Sequence, residues 1–256
     1  MTPARATLAA SAVAAFAMTL LARTPWGQSH AIASPDAVVS TLAHDLARAS
    51  LSLDLGSTAA RALVATVLSL AIGALVGLAF GPPRSPLRSL GPALHFARSI
   101  PPALVYPLLL LALGHNERSR VAAAALGSFA LVALPVASSI ERIDPERLAI
   151  ARLARLSFAQ RAFELYLPEA LPALLTAARL AFSQCLVVAV VTEMLAAPQR
   201  GLGVVAISAL QEYRADRLWL VIALAGALNA LFSALVSALE RGSFVRAASR
   251  RNLSSE

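Results

Sequence analysis

The chain has 256 residues, 58% of them hydrophobic and only 14% charged, with a formal net charge of +8. Soluble domains carry about 25% charged residues, so this chain has too little polar surface to coat a water-soluble globule, and lipid is the solvent it implies. All 22 basic residues are arginine, which excludes a standard phosphate-binding loop ending in Gly-Lys-Ser/Thr, and in so apolar a chain a basic charge points to loops facing anionic lipid rather than to nucleic acid.

Six apolar stretches have roughly the length that crosses a hydrocarbon core. The first is Ala6–Ala22, bounded by Arg5 and Arg23. Ala31-Ile32-Ala33 resembles a signal-peptide cleavage site, but it lies about ten residues past the apolar run, so an uncleaved anchor is expected. A connection over 23–56 follows. Its Ser34-Pro35-Asp36 reads as a helix start, with Pro at the first position and an acid in the first turn.

The second stretch is Thr58–Phe80, stopped by Gly81-Pro82-Pro83. The third is Pro101–Leu113, extended backwards from Leu90 and interrupted by Arg98 and Pro101. The fourth is Val121–Ile140. The fifth is Ala173–Ala196, stopped by Pro198 and Gly201, and the sixth is Leu218–Leu239, stopped by Glu240, Arg241 and Gly242. With both termini inside, the inside segments hold thirteen arginines and the outside segments eight, which favours that orientation.

Residues 141–172 form the longest inside connection. Asp144-Pro145-Glu146 is a helix start with Asp as cap. Leu148, Ala151 and Leu156 with Arg152 and Arg155 give an amphipathic pattern, and Ser157 caps a second start before Phe158. Two short helices are expected to end at Pro168 and Pro172, where the fifth span begins. They suit either the membrane surface or a cytosolic partner.

Charges inside a bilayer are costly and default to functional candidates. Arg179 and Glu193 lie within apparent spans. Arg179 is near the inside end and is expected to snorkel to the interface. Glu193 suits either a structural partner or a gate. Ser183, Gln184 and Thr192 on the same span suit either a pathway or interhelical hydrogen bonds. Cys185, in an apolar run, reads as a small buried hydrophobe. His30, His44, His95 and His115 are scattered, and no metal or catalytic set is visible, which argues against a membrane enzyme. The near absence of ionisable groups at mid-span argues against an ion-coupled carrier.

Four stretches in order resemble one family, the permeases of ATP-driven (ABC-type) importers of the nitrate/sulfonate/taurine kind. Ala149-Ile150-Ala151-Arg152-Leu153-Ala154-Arg155-Leu156-Ser157, followed by Leu167-Pro168 and Pro172, is similar to their cytoplasmic signature loop. Arg98-Ser99-Ile100-Pro101-Pro102 through Gly114, the run Thr192-Glu193-Met194-Leu195 followed by Gly201 and Gly203, and glycines 73, 77 and 81 agree as well. The resemblance implies an all-α membrane protein of about six transmembrane helices with the type I ABC importer permease fold. It implies an N-terminal anchor and outside loop over 1–56, a permease core over 57–245 and a cytoplasmic tail over 246–256, in a bacterial inner membrane. It also implies a second permease copy, separate ABC ATPase subunits carrying ATP and Mg, and an extracytoplasmic binding protein that delivers a small anion. Residues 151–158 would be the coupling helix, with Leu156 and Phe158 entering an ATPase groove and Arg152 and Arg155 pairing with its acids. The chain departs from the pattern where Ala149 replaces Glu and Arg155 replaces Gly. Arg resists a left-handed backbone, so either the turn is built differently or coupling is altered. A non-transporting scaffold is the alternative that this departure supports.

Overall fold

The structure, a computed structural model, describes residues 19–20, 23–24, 32–47, 50–82, 85–196 and 198–253. Nearly all of the Ala6–Ala22 stretch lies outside them. Every regular element among the described residues is helical, as lipid demands of any chain that satisfies its backbone internally without closing a barrel.

In chain order the helices are α1 Pro35–Ala47, α2 Ser50–Phe80, α3 Gly91–Ser99 after a 3-10 turn at Pro86–Leu90, α4 Pro102–Leu113, α5 Glu117–Glu141, α6 Pro145–Leu153, α7 Phe158–Arg161, α8 Leu167–Ala196, α9 Leu202–Gln211 and α10 Ala215–Leu253. Four stretches are long and apolar enough to cross a membrane: Ser50–Phe80, Glu117–Glu141, Phe158–Ala196 and Ala215–Arg241.

Several boundaries differ from the sequence reading. The helix expected from Thr58 begins at Ser50, so Asp54 belongs to it. The third stretch is not one straight helix extended back from Leu90. α3 and α4 meet at 92°, because proline disfavours helical backbone at Ile100 before it and the two prolines, Pro101 and Pro102, lack N–H donors for a continuing ladder. Pro168 and Pro172 do not end a short helix either. A π turn at Ala162–Tyr166, closed by Leu167 N–H to the Ala162 carbonyl, carries α7 directly into α8. α10 continues past Glu240 to Leu253.

The chain divides into two compact units, residues 1–58 with 193–227, and residues 59–192 with 228–256. In the larger one, α2 and α5 run parallel at very close approach. Gly73, Gly77 and Gly81 lie against Val132, Val136 and Ile140, one turn apart on each helix, the small-residue packing that lipid-embedded helices use in place of a hydrophobic drive. Val132, Val136 and Ile140 also belong to a core shared with Leu148, Ala151 and Tyr166 of the connection and Ala170, Ala177 and Ala181 of α8. Phe182 stacks on Phe232 with ring centroids 4.0 Å apart. Cys185 is fully buried and donates its thiol toward the Ser128 hydroxyl at 3.4 Å, as the reading of a buried small residue expects.

In the smaller unit, α1 is tied to the start of α10. Arg217 grips Asp45 through Nε and Nη2 at 3.0 and 2.9 Å, and Thr41 donates to Asp216 at 2.6 Å. The Arg217 hydrogen bond holds the Asp45 carboxyl below its ordinary range, against the opposing pull of burial.

Candidate functional site

Two places concentrate the residues singled out from the sequence. The first is the 144–166 connection. Asp144 caps α6 by accepting from Glu146 N–H at 2.9 Å, and Pro145 takes the first position, where its missing N–H costs nothing. α6 ends in a complete Schellman motif. Leu156 N–H bonds the Ala151 carbonyl at 3.2 Å and Arg155 N–H bonds the Arg152 carbonyl at 2.9 Å. Arg155 occupies the left-handed position with φ 50°. The turn that glycine would make is therefore made by arginine, with the strain a Cβ brings there. Ser157 then opens α7 with a full capping box: its hydroxyl accepts from Gln160 N–H, and the Gln160 side chain accepts from Ser157 N–H at 2.8 Å. Arg147 pairs with Glu169 across the connection.

This sorts the loop's apolar side chains onto two faces. Leu148 and Ala151 are buried, and Leu156 packs against the internal core. Ile150, Leu153, Phe158 and Phe163 face outward, with Leu153 84% exposed. Leu156, half-buried, therefore supports the turn from inside. Phe158 remains on the outer face, and Ile150, Leu153 and Phe163 join it. The sequence carried that signal in the three-residue spacing of Ile150 and Leu153, opposite Leu148 and Ala151. Ala149, Arg152, Arg155 and Ser157 are exposed.

Replacing Arg155 with glycine relieves a left-handed Cβ conflict of about 1–2 kcal/mol, part of which the freer unfolded chain takes back. Arg155→Gly is expected to raise the thermal midpoint of the purified protein, and an unchanged or lowered midpoint would contradict a strained turn.

The second place lies in the smaller unit, at the N-terminus of α9. Three consecutive backbone N–H groups there, which no helix can satisfy internally, each find a side chain on another helix. Gly201 N–H bonds Asp54 at 3.0 Å, Leu202 N–H bonds the Thr58 hydroxyl at 2.8 Å, and Gly203 N–H bonds Glu193 at 2.8 Å. The Thr58 hydroxyl donates in turn to the Glu193 carboxylate at 2.9 Å. Glu193 and Thr58 have no exposed surface. Gly201 has φ 147°, a backbone open to glycine alone. The carboxylate thus sits at the positive end of a helix dipole with its hydrogen bonds made, and its geometry is that of a strut holding a ten-residue helix too short to span a bilayer.

Thr192 is also fully buried and donates to the Ala189 carbonyl at 2.9 Å, while Ser183 and Gln184 are half-buried on α8. Pro102 lies against Gly127, and Gly114 ends α4 at φ 80° with its N–H on Leu110. Arg179 pairs with Glu240 of α10. Near the strut, Asp45, Asp54, Arg217, Gln199, Ser50 and Ser208 help line a cavity of about 230 Å³. Among the described residues no group of three or more His, Cys, Asp or Glu could hold a metal ion.

The family model described as "Binding-protein-dependent transport system inner membrane component" matches residues 69–244. The chain is 27% identical over 181 residues to the putative aliphatic sulfonates transport permease protein SsuC of Bacillus subtilis, covering 71% of this chain and 65% of that one. It therefore spans less than two thirds of that relative's length. It is 28% identical over 193 residues to the taurine transport system permease protein TauC of Escherichia coli, covering 75% and 70%. It is 24% identical over 178 residues to the bicarbonate transport system permease protein CmpB of Synechococcus elongatus, covering 70% and 63%. Among solved structures, an inward-facing MetNI methionine ABC transporter is similar with a TM-score of 0.65 at 20% identity, covering 75% of this chain and 95% of that one. An amino acid ABC transporter solved with histidines is similar with a TM-score of 0.59 at 21% identity, covering 78% and 97%. The fold is that of a type I ABC importer permease.

Proposed function

Because the chain belongs to the family of binding-protein-dependent transport inner-membrane components, we propose that it is the membrane-spanning permease subunit of an ATP-driven importer. It works as one of two copies, with ATP and Mg held by separate ATPase chains and solute delivered by an extracytoplasmic binding protein. Both termini face the cytoplasm of a bacterial inner membrane. The observation that carries this reading is the 144–166 connection. It is a doubly capped helix pair that buries Leu148 and Ala151 and packs Leu156 against the core while presenting Ile150, Leu153, Phe158 and Phe163 to the outside. An apolar surface of that kind at a water-facing loop suits a protein partner. The regular Schellman turn at Arg155 supports this reading over that of a non-transporting scaffold.

The solute is proposed to be a small oxyanion. The relatives are named for aliphatic sulfonates, taurine and bicarbonate, and a sulfonate or carbonate group is common to them.

The direct test is to tag the chain in its host, solubilise it gently and identify what co-purifies by mass spectrometry. An ABC ATPase is the expected companion, and its absence even after crosslinking would overturn the reading. Within that experiment Leu153→Asp places a charge on the outer face without touching the core. It is expected to cut ATPase recovery at least about tenfold, as truncating an interface anchor does, with the thermal midpoint unchanged. Full recovery with Leu153→Asp would remove this face from the contact.

A further inference from the structure

In the larger unit α4 is half a span, and its two ends fix its depth against α5. Its first residue, Pro102, lies against Gly127, where an added Cβ would stand 2.2 Å from the proline Cβ. Its far end stops at Gly114, just before the Asn116 cap of α5. The 12 residues of α4 rise about 18 Å, roughly half of a hydrocarbon core of about 30 Å. Gly127 lies near the middle of α5, one of the helices long enough to cross a membrane. The elbow between α3 and α4 is therefore near mid-depth. There α3 meets α4 at 92°, so it runs across the bilayer instead of continuing to the other face.

That placement needs water. Pro101 and Pro102 have no N–H to give the Ala97 and Arg98 carbonyls. Ala97 accepts instead from Ile100 N–H at 3.3 Å, while the Arg98 carbonyl is left without its helical donor. Residues 98–101 are all exposed. Broken backbone at membrane depth is tolerated where it is buried in protein or lines a water-filled cavity, and within this chain it is not buried. Arg98 adds a charge to the same place. From mid-depth it is about 15 Å to either face of the core, farther than an arginine side chain extends when it snorkels. His95, three positions earlier and on the same side of α3, is exposed as well.

Arginines nearer the span ends have counter-ions: Arg61 and Arg120 bind Glu117, and Arg179 binds Glu240. Among the described residues Arg98 meets no carboxylate. Helices α3 and α4 carry no acid, and every acid on the four long apolar helices lies toward one of their ends. A second copy of this chain therefore brings no carboxylate to that depth either. An ionisable residue placed inside a membrane with no protein partner marks a solute path, and the counter-ion it lacks is an anion.

We propose that the α3–α4 elbow lines the water-filled solute path and that Arg98 is its anion-binding residue, contacting the sulfonate or carboxylate group of the passing solute. His95 stands beside it as a second hydrogen-bonding group. This rests on the permease reading with a small oxyanion as solute, and it names the residue through which the membrane subunit itself recognises the anion. A guanidinium suits such a group because its fork gives two parallel hydrogen bonds to two oxygens.

The test uses the full chain reconstituted in lipid vesicles. Cys185 is its single cysteine and has no exposed surface, so a cysteine introduced at the elbow is read against a silent background. Iodoacetamide reacts with the thiolate, which forms in water and not in hydrocarbon. His95→Cys is expected to be labelled. Leu75→Cys, an exposed apolar position of α2 between the glycines that pack on Val132 and Val136, is expected to stay unlabelled. Methanesulfonate at about ten times its half-saturating concentration should slow His95→Cys labelling about tenfold, and chloride at equal ionic strength should not. Adding Arg98→Gln should abolish that protection, and Arg98→Lys should retain part of it.

No labelling of His95→Cys, or labelling no faster than that of Leu75→Cys, would put the elbow in lipid or under protein and overturn the proposal. Labelling without protection, equal protection by both anions, or protection that survives Arg98→Gln would overturn it too. Should the Arg98→Gln variant fail to fold, weaker protection with Arg98→Lys supports the assignment and undiminished protection refutes it. An ATPase companion without anion protection would leave the permease reading intact and remove only this site.

Discussion

Glu193→Ala is expected to unseat the short helix α9 and to cost about 3–5 kcal/mol, counting two orphaned buried groups and a cavity. The Gly203 N–H loses its acceptor outright, and the Thr58 hydroxyl loses the group it donates to. Neither can turn to bulk water, because both Thr58 and Glu193 are without exposed surface. Glu193→Gln retains a carbonyl for the Gly203 N–H but adds two donors beside a hydroxyl that already accepts from Leu202 N–H, so it should cost about 1–3 kcal/mol. The measurement is thermal unfolding in detergent combined with hydrogen exchange at residues 201–208. Faster exchange confined to α9 in Glu193→Ala is the expected pattern. Wild-type exchange there, with an unchanged midpoint, would show that the carboxylate is not a strut.

The same residue shows how far the sequence carried. A lone acid in an apolar run is visible to anyone reading hydropathy, and the alternatives of structural partner and gate both followed from it. Its partners did not. Thr58 is 135 positions away and sits in what reads as the start of another span, and a backbone N–H leaves no mark in a sequence at all. Arg179 carries the same lesson. Its partner Glu240 is 61 positions distant, so local reasoning could offer only the interface. Span existence was legible because the apolar lengths are set by the bilayer. Span ends were not, where a polar residue is absorbed by a hydrogen bond to another helix, as Asp54 is by Gly201, or where a proline is absorbed by a π turn, as before α8.

At the connection the sequence identified the caps and did not sort the apolar side chains onto two faces. Asp144, Pro145 and Ser157 act as their residue types require. The departure at Arg155 pointed to a turn built differently or to altered coupling, because left-handed backbone disfavours a Cβ. The turn forms regardless, and two hydrogen bonds with the packing of Leu156 beneath them offset the strain. Tyr213 ends α9 in the same way at φ 55°, with Arg214 N–H on the Ala209 carbonyl at 2.8 Å. Two helices in this chain thus close on non-glycine residues where a glycine would be the cheaper choice.

Gly73→Ala is expected to be among the most damaging single-methyl changes in the protein, at about 2–3 kcal/mol or more. A Cβ on residue 73 would stand 2.5 Å from the Val132 Cβ and 2.7 Å from the Phe129 carbonyl oxygen. Both are fixed to the α5 backbone, so no rotamer change relieves the contact and the two helices must part. Parting them also loosens Gly77 on Val136 and Gly81 on Ile140, the next two steps of the same seam. Val132→Ala should not rescue Gly73→Ala, because the clash is with the Cβ that alanine keeps and with a main-chain oxygen. Gly226→Ala is the matched control. Nothing lies within 4 Å of a Cβ there, and removing a glycine from the interior of α10 should stabilise by up to about 1 kcal/mol. Thermal midpoints of the four variants, measured in one detergent, separate the cases. A tolerated Gly73→Ala would mean that α2 and α5 are not in backbone contact, and a rescue by Val132→Ala would mean that the obstruction is the valine side chain rather than the helix itself.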